Sequence, residues 1–389
     1  MRVTIIIGGL GGGGAERVCV NLANAWAARG RRVTILTVAR GTAGSVYALD
    51  PRVERRVVGW PRAASGEELS ADSVSSVVRG LHRAGCLEMI EQLQLVVMLR
   101  RAILATSPDV VVTHIDLTNI QVLAAMQETG VPVIACEHTD TSQVSFGWQN
   151  ARTALYRRAH AVVAPHRAIA EWLAERGVAA RAIPNPLVAP PMTNVGQAGE
   201  RRRLVTLARL SPEKRIDLLL RAFAMIAGDF PEWGLEVYGE GPLRASLARL
   251  ADGLAPGRVE LRGFAYGAYS VLGGADLFVS SSWVEGFGNA IWEALACGVP
   301  VVAMDCGAAV HTLVRDGVDG LIVRAGDASA LASALASLMG DEAARKALAA
   351  RAPEVLTRFP IESSLRAWDA LLHDAVPRDR ASSRSPSSP

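Results

Sequence analysis

The sequence predicts an α/β protein with two doubly wound parallel-sheet domains, and three observations predict it. The chain has 389 residues, more than the roughly 250–300 residues at which a single hydrophobic core stops growing. Half of the residues are hydrophobic, which is enough for two cores. Short apolar strands alternate with helical segments in both halves, a pattern typical of parallel sheets covered by helices. We expect two such domains to face each other across a cleft, a common place for ligands.

The first domain is predicted over residues 1–185. The strand Arg2–Ile7 leads into a glycine-rich loop and then into the helix Ala15–Arg29, whose apolar residues recur at helical spacing. Further short apolar strands are predicted at Arg32–Thr37, Asp109–Thr113, Val131–Cys136 and Ala161–Ala164. Residues 61–76 are rich in Ser, Gly and Ala and predict a mobile loop, and residues 77–105 predict two helices or one bent helix.

The second domain is predicted over residues 201–360, after a proline-containing linker at residues 186–200. Its strands are predicted at Arg203–Leu207, Leu235–Tyr238, Val259–Leu261, Leu277–Ser280 and Val301–Met304. A last helix, at residues 361–376, is expected to pack back on the first domain. The tail at residues 377–389 is mostly Arg, Ser, Asp and Pro, a composition that predicts disorder.

The net charge of +3 is unevenly distributed along the chain. Residues 1–190 contain 20 arginines against 15 acidic residues, whereas the remainder has 21 basic and 23 acidic residues. This excess is far too small for a nucleic-acid interface, but it suits a lipid head group or an anionic membrane surface. No run of 18 apolar residues occurs, and the first residues predict a strand instead of a signal peptide. We therefore expect a cytoplasmic protein, peripheral on the inner face of the cell membrane.

Two carboxylates eight residues apart flank a glycine-containing turn. Glu285 follows the strand Leu277–Ser280, and Glu293 lies in a predicted helix, Asn289–Cys297, that Gly298 ends. Both would lie at the carboxyl edge of a parallel sheet, where such sheets hold ligands. The helix-start amides of Gly288, Asn289 and Ala290 would lie between them. A solvated pair is the alternative, but the glycines, strands and nearby basic residues favour a pocket for a hydroxylated, anionic ligand.

Two basic residues complete this predicted pocket. Arg209 follows the strand Arg203–Leu207, and Lys214 is predicted in the first turn of a helix over residues 213–224, with Ser211 as its cap. A cation there opposes the helix dipole unless an anion is present, so a phosphate partner is favoured. The chain has two lysines against 39 arginines, which makes this lysine unusual. An ordinary solvated face, with Glu213 pairing locally, is the alternative.

In this order and spacing, the motifs resemble those of the retaining glycosyltransferases of family 4. That family has the GT-B fold of two Rossmann-like domains. The matching segments are spread over most of the chain: Gly13-Gly14-Ala15-Glu16-Arg17-Val18, Pro184-Asn185-Pro186, Arg209 with Lys214, Tyr238-Gly239-Glu240-Gly241-Pro242, and Glu285 with Glu293. The resemblance implies transfer of a sugar from a nucleoside diphosphate sugar, UDP before GDP, to a glycan or polyprenyl-linked acceptor.

The resemblance also implies a role for each matching residue. Arg209 and Lys214 would bind the donor diphosphate, Glu285 would hold the transferred sugar and Glu293 the ribose. Backbone groups would complete the donor site at Gly13, Gly14, Glu16, Gly239, Gly263, Phe264, Gly286, Phe287, Gly288, Asn289 and Ala290. His114 would donate a hydrogen bond to the donor sugar. The acceptor side would include Asp116, Asn119 and His138.

Such a reaction needs fixed positive charge at the leaving diphosphate, which Arg209 and Lys214 would supply. The chain has no D-x-D motif, so we expect no metal and no cofactor, and a front-face mechanism without a protein nucleophile. Five cysteines without a C-x-x-C pair predict reduced core residues.

Two alternatives remain from the sequence. The run Gly9–Gly14 matches G-x-G-x-x-G, which suits an oxidoreductase that binds NAD or NADP, although the next strand leads to Arg40 and not to an acidic residue. A non-catalytic sugar-nucleotide-binding protein on the same fold is the second alternative. Within the enzyme class, a GT-B epimerase or phosphorylase also remains, although neither Lys214 nor Lys346 fits the pyridoxal phosphate lysine of a phosphorylase.

Overall fold

The structure is a computed structural model of the 389-residue chain and describes residues 1–38, 45–58, 93–140, 149–191 and 202–376. The loop predicted at residues 61–76, most of the predicted linker, the tail, Arg40 and Cys86 lie outside the described residues. The chain divides into two compact units, residues 1–187 with 361–389 (unit 1) and residues 188–360 (unit 2).

Unit 1 is built on a seven-stranded sheet of parallel strands in the order β3-β2-β1-β4-β5-β6-β7. Its strands are β1 Arg2–Ile7, β2 Arg32–Thr37, β3 Glu54–Val57, β4 Val110–His114, β5 Val133–Cys136, β6 Ala161–Ala164 and β7 Ala180–Ala182. Its helices in the described ranges are α1 Gly14–Ala28, α2 Leu93–Ala105, α3 Asp116–Ala125, α4 Gln149–Tyr156, α5 Arg167–Ala174 and α14 Ile361–Ala375.

Both faces of this sheet are buried, which explains why its strands are apolar without alternation. Ile5 and Ile7 point to one face and pack with α1 and α14, whereas Ile6 points to the other face and packs with α2 and α3. The last helix packs on the first through Trp368 and Trp26, whose rings meet edge to face at 5.6 Å.

Unit 2 repeats the architecture with a six-stranded parallel sheet in the order β10-β9-β8-β11-β12-β13. Its strands are β8 Arg202–Leu207, β9 Trp233–Tyr238, β10 Val259–Gly263, β11 Leu277–Ser280, β12 Val301–Met304 and β13 Gly320–Val323. Its helices are α6 Ile216–Ile226, α7 Arg244–Leu254, α8 Ala268–Leu272, α9 Asn289–Ala296, α10 Ala308–Leu313, α11 Ala328–Gly340, α12 Glu342–Arg351 and α13 Val355–Arg358.

The two doubly wound parallel sheets confirm the fold class predicted from the sequence. In each sheet the strand order reverses once, between β1 and β4 in unit 1 and between β8 and β11 in unit 2. Ligands of open parallel sheets bind at the carboxyl ends of the strands at such a reversal. We call these two positions switch point 1 and switch point 2.

Two further features complete the fold. The described cysteines are free, with Cys19, Cys136 and Cys306 buried and Cys297 partly exposed. No helix in the described ranges is both long and apolar enough to cross a membrane.

Candidate active site

Switch point 2 brings the basic and acidic candidate residues together. Arg209 and Lys214 follow β8, and Glu285 follows the neighbouring strand β11. Nζ of Lys214 donates a hydrogen bond to Oε1 of Glu285 at 2.6 Å. The two side chains are 19% and 17% exposed, so this charge-assisted pair is partly exposed and not in the core.

Backbone hydrogen bonds fix the two segments that carry this pair. The backbone N–H of Trp283 donates to the carbonyl oxygen of Glu213 at 2.8 Å. The hydroxyl of Ser281 donates to the carbonyl oxygen of Lys214, also at 2.8 Å. The ion pair therefore joins two segments that are already held in register by their own backbones.

The local structure at Lys214 differs from the prediction. Pro212–Lys214 form a 3₁₀ turn, Arg215 adopts a left-handed conformation with φ of 47°, and α6 begins only at Ile216. Ser211 does not cap a helix through its side chain; its Oγ bonds to Oε1 of Glu213 at 2.5 Å. The predicted helix over residues 213–224 is wrong at its start, because Ser-Pro suits a 3₁₀ turn as well as an α-helical one. The helix-dipole argument therefore does not apply to Lys214.

Arg209 is exposed and lies in a loop that the segment Tyr238–Gly241 supports. The N–H groups of Ala208 and Leu210 donate to the carbonyl oxygens of Tyr238 and Glu240, both at 3.0 Å. A Cβ atom at Gly239 would overlap the carbonyl oxygen of Ala208, and one at Gly241 would overlap that of Leu210. Close backbone approach thus explains both glycines, and Gly239 acts on the site by supporting the Arg209 loop.

Glu213 adds a second carboxylate to this cluster. Burial raises the pKa of Glu213, but the hydrogen bond with Ser211 and the charges of Lys214 and Arg209 outweigh burial and hold that pKa below its ordinary value. The local pairing considered from the sequence therefore does occur. Both cations of the cluster already lie near carboxylates, which a ligand has to replace or share.

Glu293 lies in α9, the helix that follows Glu285 along the chain. Gly288 precedes this helix with a left-handed φ of 87°, which favours glycine, and its carbonyl oxygen accepts from the N–H of Trp292 at 3.0 Å. Glu293 is buried. The burial of Cys297 itself and the negative charge of Glu293 raise the pKa of the Cys297 thiol to about 11. The other donor-site candidates of this segment stand at its start: Gly286 and Phe287, which are buried, and Asn289 and Ala290, which are partly buried.

Gly263 and Phe264 lie at the end of β10, beside the same glycine segment. The carbonyl oxygen of Gly263 accepts from the N–H of Gly239 at 2.7 Å, and Gly263 has a left-handed φ of 75°. The ring of Phe264 packs edge to face on Tyr266, which is exposed. These two predicted donor-site residues are thus tied to the segment that supports Arg209.

Switch point 1 contains a histidine pair. His114 is the last residue of β4 and is fully buried, and His138 follows β5 and is partly exposed. Their ring nitrogens, Nδ1 of His114 and Nε2 of His138, are 2.8 Å apart, and the rings lie edge to edge with their centroids 5.1 Å apart and their planes 24° from parallel. Burial lowers the pKa of both rings, that of His138 to about 4, and His138 lowers that of His114 further. Both rings are therefore neutral at neutral pH.

A buried polar cluster lies next to this pair and includes Asn119, which the resemblance implied on the acceptor side. Glu137 is 2% exposed, and burial raises its pKa to about 7 against the opposing effect of Arg152. The hydroxyl of Tyr156 lies 3.2 Å from Oε2 of Glu137 and accepts from Nδ2 of Asn119 at 3.0 Å. Only the position of Glu137 directly after an apolar strand could have indicated it.

Several polar atoms of unit 1 are buried without a hydrogen-bond partner among the described residues. They include Nε2 of His114, Oδ1 of Asn119, Oε1 of Glu137 and both ring nitrogens of His166. Such atoms are rare in folded proteins. Nδ2 of Asn119 also donates to the carbonyl oxygen of Cys136 at 2.8 Å, so its amide group holds the strand end in place.

The backbone at this position is strained. Ile115, between His114 and Asp116, has φ of 74°, a conformation that costs a β-branched residue about 1–3 kcal/mol. Asp116 follows in the first turn of α3 and is partly exposed; its Oδ1 accepts from the N–H of Leu117 at 2.8 Å. Strain of this kind persists where the surrounding structure requires it, often at functional sites.

The glycine loop after β1 borders switch point 1 as well. Gly13 precedes α1 and Gly14 begins it; the carboxylate of Glu16 folds back over Gly13, where a Cβ atom would overlap it. The hydroxyl of Tyr47 donates to the carbonyl oxygen of Gly12 at 2.7 Å. The loop is therefore shaped by partners within unit 1.

Comparison with known proteins covers both units. The family model described as Glycosyltransferase Family 4 matches residues 12–188, and the model described as Glycosyl transferases group 1 matches residues 201–341. Each unit of the chain thus matches a model of a glycosyltransferase domain. These matches support the predicted glycosyltransferase class and do not favour the oxidoreductase alternative, whose Arg40 lies outside the described residues.

Individual relatives differ in how much of their length is matched. An enzyme of Campylobacter jejuni named GalNAc-alpha-(1->4)-GalNAc-alpha-(1->3)-diNAcBac-PP-undecaprenol alpha-1,4-N-acetyl-D-galactosaminyltransferase is 25% identical over 96% of this chain and 98% of its own. The exopolysaccharide phosphotransferase SCO2592 of Streptomyces coelicolor is 35% identical over 46% of this chain and 19% of its own. Four curated relatives, the latter included, are matched over only 19% to 49% of their length.

A solved structure confirms the GT-B fold. A mutant of TarM from S. aureus, crystallised in complex with fondaparinux, alpha-GlcNAc-glycerol and UDP, has a TM-score of 0.77 at 12% identity, over 95% of this chain and 99% of TarM.

Proposed function

We propose that this chain transfers a sugar, with retention of anomeric configuration, from a nucleoside diphosphate sugar to a hydroxyl of a glycan or lipid-linked glycan. UDP is the proposed carrier before GDP. The observation that carries this proposal is the pair of Lys214 and Glu285 beside Arg209 at switch point 2. UDP in the TarM structure and the undecaprenol-linked glycan in the name of the Campylobacter enzyme support the two substrate classes.

The ion pair indicates the chemistry of the ligand. A ligand that takes Lys214 from Glu285 has to offer it an anion, and it has to offer the released carboxylate hydrogen-bond donors. The diphosphate of a sugar nucleotide supplies the anion, and the sugar hydroxyls supply the donors. Arg209 is exposed beside the pair and adds a second cation for the diphosphate.

The proposed reaction then uses preorganised charge. As the bond between the anomeric carbon and the phosphate oxygen breaks, negative charge grows on the leaving diphosphate, and Arg209 and Lys214 stabilise it. The acceptor hydroxyl attacks the anomeric carbon from the same face and gives its proton to the leaving phosphate oxygen. In this proposal no metal, cofactor or protein nucleophile takes part. His114 donates to the donor sugar, and Glu293 accepts from the ribose hydroxyls.

A screen of nucleotide sugars tests this function. Thermal shift with UDP- and GDP-sugars identifies the donor, since a ligand that binds only the folded chain raises its melting temperature. Release of the nucleoside diphosphate with glycan or polyprenyl-linked acceptors, with and without EDTA, then tests turnover and metal dependence, and NMR of the product gives the anomeric configuration. Stabilisation without turnover on any acceptor would favour a non-catalytic binder, and no stabilisation by any nucleotide would contradict the proposal.

The basic first part of the chain supports a further proposal, peripheral binding to an anionic membrane surface. Co-sedimentation with vesicles that contain anionic lipid, compared with neutral vesicles, tests it. Equal binding to both vesicle types contradicts it, because an electrostatic attraction requires the charged lipid.

A further inference from the structure

The histidine pair of switch point 1 restricts where its protons lie. The 2.8 Å between Nδ1 of His114 and Nε2 of His138 has room for one proton, so one ring donates and the other accepts. Because burial disfavours a positive charge on either ring, both are neutral and carry one proton each. Two arrangements remain: both rings carry their proton on Nε2, or both carry it on Nδ1.

The intrinsic preference of histidine separates these arrangements. The Nε2–H form is the more stable neutral form of an unperturbed histidine side chain, and the hydrogen bond at one nitrogen decides which form is held. If His138 donates from Nε2 to Nδ1 of His114, both rings are in this preferred form. The reverse donation puts both rings in the less stable form. The pair therefore favours a His114 ring whose Nε2 carries a proton.

The other nitrogen of His114 is the one that needs a ligand. Nε2 of His114 is fully buried and has no hydrogen-bond partner among the described residues. A buried N–H without an acceptor is costly, whereas an oxygen of a bound sugar would satisfy it. Nε2 of His138 cannot bond to the sugar itself, because it already bonds to Nδ1 of His114.

We propose that His138 is a positioning residue that holds His114 in the Nε2–H form, so that His114 donates to an oxygen of the donor sugar. This inference rests on the proposed function for the identity of the ligand. The held form itself is a property of the free protein.

Nitrogen NMR of the free protein tests the held form. In protein with ¹⁵N-labelled histidine, identified by comparison with His114→Gln, His114 should show a protonated Nε2 and an unprotonated Nδ1. His138→Phe keeps an aromatic ring but removes the donor, and His114 should then show the averaged signals of two exchanging forms. The exposed His373 offers a control, since His373→Phe should leave His114 unchanged. A protonated Nδ1 in the wild-type protein, or no change in His138→Phe, overturns the proposal.

Kinetics test the consequence for the sugar. Loss of one neutral hydrogen bond predicts that His138→Phe lowers kcat/KM for the donor about fivefold to tenfold. UDP alone, which has no transferred sugar, should bind with unchanged affinity. His138→Gln, whose amide can donate to Nδ1 of His114, should restore most of the activity. Equal losses in the Phe and Gln variants, with folding intact, overturn the proposal. If no UDP- or GDP-sugar is turned over by the wild-type protein, the proposed function fails while the NMR result stands by itself.

Discussion

The two switch points have the same topology and opposite electrostatic character. At switch point 1 His114 and Glu137 are buried and His138 is partly exposed; desolvation lowers the pKa of both histidines and raises that of Glu137 to about 7. At switch point 2 Lys214 and Glu285 are partly exposed and form an ion pair. The comparison teaches that a parallel-sheet edge can become either a neutral hydrogen-bonding surface or a charged one.

The position of each residue relative to its strand end explains this difference. His114 is the last residue of β4, and Glu137 follows β5 directly; both side chains are buried. Arg209 stands two residues after β8 and Glu285 five residues after β11, where the loops have already left the core. Depth sets the desolvation of a side chain, and desolvation sets its charge state.

The largest expected effect comes from removing the positive charge of Lys214 at switch point 2. Lys214→Ala should lower kcat about 10²–10³-fold, because the leaving diphosphate loses a preorganised cation. The chain offers a matched control in its other lysine: Lys346 is 77% exposed and pairs with Glu342 on α12. Lys346→Ala should leave nucleoside diphosphate release within about twofold of wild type. Equal activity of the two variants would show that the charge at switch point 2 is not used in the reaction.

The second prediction concerns the buried carboxyl group of Glu137 at switch point 1. Folding raises the pKa of Glu137 from 4.5 to about 7, so the folded chain holds this proton more tightly than the unfolded chain. Its contribution is fully present below pH 4.5 and is lost as the pH rises to 7, by about 3 kcal/mol in total. Glutamine does not titrate, so Glu137→Gln removes this pH-dependent loss. The melting temperature of the variant minus that of the wild type should therefore be larger at pH 8 than at pH 5. Glu175→Gln, on an exposed side chain, serves as the control and should show no such difference. A pH-independent gap for Glu137→Gln contradicts a neutral Glu137.

Substitution of Gly239 tests how the loop that carries Arg209 is supported at switch point 2. Gly239→Ala should destabilise unit 2 by about 2–3 kcal/mol, because its Cβ atom would overlap the carbonyl of Ala208 and its φ of 143° suits glycine. In Gly253→Ala the added Cβ meets nothing within 4 Å, and the substitution in α7 should stabilise the chain by about 0.5–1 kcal/mol. Thermal unfolding compares the two variants. Similar melting temperatures would show that the Arg209 loop can move away from Gly239.

The sequence predicts switch point 2 better than switch point 1 for a physical reason. Arg209, Lys214, Glu285 and Glu293 stand in short segments with a fixed spacing, so local sequence carries the pattern. Glu137 acquires its surroundings from Tyr156 on α4 and Asn119 on α3, which only the tertiary fold brings together. Their burial therefore cannot be seen in any one segment.

Local ambiguity explains the other differences. Ser211 and Pro212 begin a 3₁₀ turn or an α-helix with the same letters, and only the left-handed Arg215 separates the turn from α6. The edge strands β3 and β7, with sequences ERRV and ARA, lack the apolar runs by which central strands are recognised. An edge strand has one neighbour and an exposed side, so polar residues are tolerated there.

The smallest expected effect is a gain in UDP affinity when Glu285 of the Lys214–Glu285 ion pair is substituted. In the free chain Glu285 competes with phosphate for Lys214, so Glu285→Gln should bind UDP about threefold to tenfold more tightly than the wild type does, as expected for removal of one charged competitor. The same variant should transfer sugar more slowly, because the hydroxyls lose a carboxylate acceptor. Glu293→Gln is the matched contrast: it should weaken UDP binding, since its proposed partner is the ribose and not Lys214. Isothermal titration with UDP measures both variants. If Glu285→Gln binds UDP more weakly than the wild type, the carboxylate supports the diphosphate site and does not compete for it.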